Sequence, residues 1–151
     1  MQLAHYLGLL HRAQGNLAEA LREVADAHAD EPDVATECRQ LAEQCDRHVT
    51  ALARFTDRYG EEADEEPDRL HRELFDGTRS GPMGLLRDLH DLYLMATESE
   101  ISWTMIGQAA QGARDSELLE VVERCEQDTA VQQRWIRTRM KQAAPQTLVV
   151  G

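Results

Sequence analysis

The chain has 151 residues, the size of one domain around a single continuous core. Its formal charge of −12 and pI near 4.8 argue against nucleic acid and anionic membrane surfaces as partners, since both would repel it, and leave a protein or a cation. Hydrophobic residues make up 42% of the chain but aromatics only 5%, and the aliphatic set is rich in Ala and Leu, which favours helix over sheet.

No stretch approaches the roughly 18 to 20 apolar residues needed to span a bilayer. The opening residues lack a basic leader and a cleavage pattern, so a cytoplasmic location is expected. Three cysteines, Cys38, Cys45 and Cys125, are an odd number. Cys38 and Cys45 lie two helical turns apart, roughly 10 Å by the helical rise, so they cannot pair with each other. Reduced thiols are the simplest reading.

In chain order, the heptad spacing predicts a first helix over about 2–29, with Leu3, Leu7, Leu10, Gln14, Leu17, Leu21, Val24 and His28 on one seam. Flanking alanines allow another helix to approach closely. A short link at 30–32 and a proline suited to a first turn lead to a second helix over about 33–59. Its seam runs Val34, Cys38, Leu41, Cys45, His48, Leu52, Phe55 and Tyr59. Residues 60–82 then form a long crossover: an acidic run to Pro67, a short helix at 68–75 and a turn-forming stretch to Pro82.

A third helix is expected over about 83–112, with Leu85, Leu89, Leu92, Ala96, Ser99, Trp103, Ile106 and Ala110 on its seam. A turn near 113 leads to a fourth over about 115–143, capped by Asp115 or Ser116, with Leu118, Val122, Cys125, Thr129, Gln132, Ile136 and Ala143 facing inward. Pro145 is expected to end it, leaving an apolar tail at 148–150. The short, long, short connections suit a single-domain, all-α four-helix bundle whose second and third helices run parallel, against an up-down-up-down alternative.

Antiparallel pairing about the two short turns puts Gln14, His48, Ser99 and Thr129 at one height. All four seams therefore switch from apolar to polar halfway along. Beside the seams, His11, Glu100 and Glu126 are expected to lean inward, with Cys45 about a turn away. A buried carboxylate costs several kcal/mol without a partner, so each should meet a cation or a donor.

This helix pattern, the polar layer and the segment Thr97-Glu98-Ser99-Glu100-Ile101-Ser102-Trp103, followed by residues 118–133, resemble the ferritin-like superfamily, nearest to its small bacterial stress-associated members. That resemblance implies a Glu on each of two helices and a Glu-x-x-His on each of the other two. Here helix two reads Cys45-Asp46-Arg47-His48 and helix four Glu126-Gln127-Asp128-Thr129. Only His48, Glu100 and Glu126 match the pattern in type.

Three readings follow. In one, His11, His48, Glu100 and Glu126, with Cys45, hold one transition ion; imidazole and carboxylate suit iron, manganese or zinc, and a thiolate favours zinc. In another, the layer of Gln14, His48, Ser99 and Thr129 is a register device in a homodimeric or partner-binding module, and His48→Leu should raise stability or barely change it. A thiol or radical role for Cys45, Cys125, Tyr93, Trp103 and Trp135 is the third. His5, His28, His71 and His90 read as surface or helix-end residues.

Overall fold

A computed structural model describes residues 2–60 and 75–150. Four long helices account for most of them: α1 (Gln2–Ala27), α2 (Pro32–Tyr59), α3 (Gly81–Gly112) and α4 (Ser116–Pro145). No strand occurs among the described residues. The expected acidic run and most of the short helix of the crossover fall at 61–74, outside the described residues.

Local chemistry fixes the helix ends. Pro32 opens α2, where its missing N–H is no loss, and Gly60 closes it at φ 78°, a left-handed conformation that glycine adopts without strain. At the start of α4 the Asp115 carboxylate accepts from the Leu118 N–H at 3.0 Å. The same carboxylate receives the Tyr59 hydroxyl at 2.6 Å and the Arg58 guanidinium at 2.9 Å, so one residue caps α4 and ties it to the end of α2. Pro145 does not stop the chain as expected. α4 includes it, and residues Gln146–Val150 continue as a π-helical turn with Leu148, Val149 and Val150 exposed.

Side-chain pairs give the directions. Gln14 meets Ser99 and His28 meets Asp88, so α1 and α3 run antiparallel. Arg58 meets Asp115 near one end, and Arg139 meets Asp33 near the other, so α2 and α4 are antiparallel too. The short turn at 28–31 reverses α1 into α2, and α2 and α3 therefore point the same way along the bundle. α1 lies between α2 and α3, and α4 closes the square.

The core is not continuous. One apolar block gathers Leu17, Leu21, Leu41, Leu89, Leu92 and Ile136. Another, towards the opposite end, gathers Leu10, Leu52, Phe55, Trp103, Ile106 and Val122. Between the blocks lie Gln14, His48, Ser99 and Thr129, all buried. Each helix thus carries a two-part hydrophobic seam broken once, at the same height.

Candidate functional site

The layer is built around His48, whose side chain is only 4% exposed. Its Nδ1 lies 2.8 Å from Gln14 Oε1, and Gln14 Nε2 donates to Ser99 Oγ at 2.7 Å. On the other side, Nε2 lies 2.9 Å from Asp128 Oδ2. A chain of bonds therefore runs from α4 through α2 and α1 to α3. Trp103 packs edge-on against the imidazole, centroids 5.7 Å apart and planes at 87°, and its indole N–H donates to Thr129 Oγ1 at 3.0 Å. The threonine hydroxyl in turn donates to the Cys125 carbonyl.

Proton placement in this chain is a choice between two states. With Gln14 Oε1 towards His48, Nδ1 must donate; a carboxylate only accepts, so Nε2 must donate as well, and the ring carries a charge. Burial pushes the His48 pKa down, with the Asp128 carboxylate opposing it. Burial prevails, because the Asp128 side chain is 43% exposed and its charge is screened by water. A neutral ring keeps both bonds if the Gln14 amide turns over, giving its N–H to Nδ1 and taking the Ser99 hydroxyl on its oxygen. The charge of His48 and the orientation of Gln14 are thus coupled.

The carboxylates expected beside the seam face elsewhere. Glu100 is taken by the Gln133 amide, and Glu126 accepts from Thr104 Oγ1 at 3.1 Å. Both therefore span the α3–α4 groove rather than the bundle axis. Cys45 is fully buried, 3.7 Å from Gln132 Nε2, and burial raises its thiol to about 12, so it stays protonated at neutral pH. His11 is half-buried near Gln14 but outside the hydrogen-bonded chain.

The structure brings Gln14, His48 and Ser99 together directly, with Thr129 joined through Trp103. It does not gather His11, His48, Glu100, Glu126 and Cys45 around one point. Among the described residues no group of three or more His, Cys, Asp or Glu side chains is placed to hold a metal ion. Both His48 nitrogens are already engaged by protein partners, and the Glu100 and Glu126 carboxylates bond elsewhere. Among the described residues one buried side-chain acceptor, Gln132 Oε1, has no partner.

Two features escape sequence reasoning. Asp128, not Glu126, is the carboxylate at His48. His28 is not a surface residue: it is buried, with Nε2 2.8 Å from the fully buried Asp88. Arg79 donates to Asp88 from its backbone N–H and its guanidinium, both at 3.0 Å, and bridges to Asp91 at 2.9 Å. This cluster pins the approach to α3, where a Cβ on Gly84 would fall 2.6 Å from the Arg79 carbonyl carbon. His90 is exposed beside Asp91, and His71 lies outside the described residues.

No protein-family model, curated protein or solved structure matches this chain. No helix among the described residues is long and apolar enough to cross a membrane.

Proposed function

We propose that this chain is a structural, partner-binding helical module of ferritin-like topology, in which the central layer sets register and performs no chemistry. The observation that carries this reading is the closure of the layer on itself: Asp128, His48, Gln14 and Ser99 satisfy one another across all four helices. Amide, imidazole and hydroxyl face the axis where a di-iron protein presents carboxylates. A one-heptad slip of any helix would strand these groups against leucine, at about 1–3 kcal/mol for each unpaired group. A break in the apolar seam therefore selects one alignment of four otherwise similar helices.

One observation favours a metal-bearing version. The orphaned Gln132 Oε1 is an acceptor that a cation or a water would satisfy. Elemental analysis of untagged protein, with thermal midpoints taken with and without chelator, separates the two. The register reading expects substoichiometric metal and midpoints unmoved by chelator or by added iron or zinc. One equivalent of metal, with a midpoint lowered on chelation, would replace it with the metal reading.

A further inference from the structure

The outer surface is divided unevenly between the helix pairs. Every large apolar side chain exposed among the described residues lies on α3, on α4 or in the C-terminal turn, and none on α1 or α2. Along the outward face of α3 stand Leu94, Ile101 and Met105, at 39%, 48% and 44% exposure. Their spacing of seven and four keeps them on one stripe. Val131 on α4, 46% exposed, stands near the same level.

The charges on α4 are segregated around this apolar band. From Glu117 to Asp128 there are five acids and one base, Arg124; from Thr129 to Pro145 there are four bases and no acid. Some of these charges are spoken for, Glu117 by Arg54 and Arg58, and Arg139 by Glu31 and Asp33. Glu120, Glu123, Arg134 and Arg137 are exposed, and among the described residues none of the four makes an ion pair. They stand as acid, acid, base, base along one helix.

We propose that this α3–α4 face receives a second copy of the chain, turned end for end about a two-fold axis across the middle of α3. The inference rests on the reading of the chain as an association module and names its partner. A self-complementary surface must place each group opposite its complement under the same rotation. An axis between Ser99 and Glu100 sets Leu94 of one copy opposite Met105 of the other and leaves Ile101 about 4.5 Å along the helix from its own counterpart, level with the half-buried Glu98. On α4, Glu123 and Arg134 are equidistant from residues 128–129, and so are Glu120 and Arg137. The contacts Thr104–Glu126 and Gln133–Thr97 place that α4 midpoint within about two residues, roughly 3 Å, of the α3 midpoint. One axis therefore joins apolar to apolar on α3 and acid to base on α4. An acidic protein thus meets its own copy at a face whose acids lie at one end and whose bases lie at the other.

Sedimentation velocity and native mass measurement of the full chain, over micromolar to hundred-micromolar concentrations, test this. The wild type is expected to dimerise. Ile101→Glu sets like charges together at the axis on an exposed site and should give a monomer with unchanged helical circular dichroism. Arg134→Glu with Arg137→Glu should weaken the dimer about tenfold to a hundredfold at low salt, and adding Glu120→Arg and Glu123→Arg should restore it. A monomeric wild type, a dimer indifferent to Ile101→Glu, or a four-fold charge swap that fails to restore association overturns the proposal. Elemental analysis of the same sample keeps the two readings apart: a metal-bearing dimer removes the structural reading and leaves the interface, and a metal-free monomer does the reverse.

Discussion

Truncating the polar layer one group at a time should hurt more than removing it whole. Replacing His48 by Leu deletes a side chain whose Asp128 partner is 43% exposed and can turn to water at little cost. The Gln14 partner has no such escape, being fully buried. The substitution strands a Gln14 polar atom inside the bundle at a cost of about 1–3 kcal/mol. For a chain of this length that lowers the thermal midpoint by about 2–12 °C. This differs from the neutral or stabilising effect that sequence alone suggests, because the pattern shows polar residues at one height but not that Gln14 depends on His48. In the triple variant Gln14→Leu, His48→Leu, Ser99→Ala no orphan remains, and stability should return to within about 1 kcal/mol of wild type or exceed it. Urea unfolding followed by circular dichroism, on the three single variants and the triple, measures the non-additivity, expected at about 1–3 kcal/mol. A triple variant as unstable as the sum of its parts, or a neutral His48→Leu, would show that the layer's groups do not depend on one another.

Because burial holds the folded His48 pKa below its ordinary value near 6.5, protonation favours the unfolded chain; stability should be full above pH 6.5 and fall as pH drops below it, and the triple variant should show a shallower fall in parallel urea titrations at pH 7.5 and 5.5. Asp88→Ala leaves the buried His28 without its acceptor, while Arg79 keeps Asp91, and should cost about 1–3 kcal/mol in chemical denaturation; an unchanged midpoint would show that the cluster is incidental. Burial raises all three thiols to about 12, so native protein at pH 8 should react with a disulfide reagent only on the timescale of unfolding, and three equivalents should be released in denaturant; prompt reaction of any one contradicts its placement.

The architecture was largely legible because the seams are long and regular. Leucines at steps of three and four define four helices whose ends fall within about two residues of those observed, the ordinary scatter of frayed termini. The height of the layer could also be read, since short turns at both ends fix how antiparallel neighbours align. Azimuth was harder. Both Glu126 and Asp128 flank Thr129, one on the side facing α3 and the other on the side facing α2, and heptad spacing alone does not say which flank meets an imidazole. The Glu126 carboxylate goes to Thr104 on α3, and Asp128 goes to His48 on α2. His28 differs from its expected surface position for a related reason. Its partner Asp88, and Arg79 that shares that carboxylate, come from the first turns of α3 and the loop before it, which no periodic pattern aligns with the end of α1.

The most direct measurement is the 15N spectrum of the His48 imidazole at pH 7.5, before and after one equivalent of zinc or ferrous ion. A neutral ring is expected, with the proton on Nε2 facing Asp128, Nδ1 accepting from Gln14, and a spectrum unchanged by either metal. A ring nitrogen that moves to a metal-bound shift would contradict the claim that the layer is complete in itself.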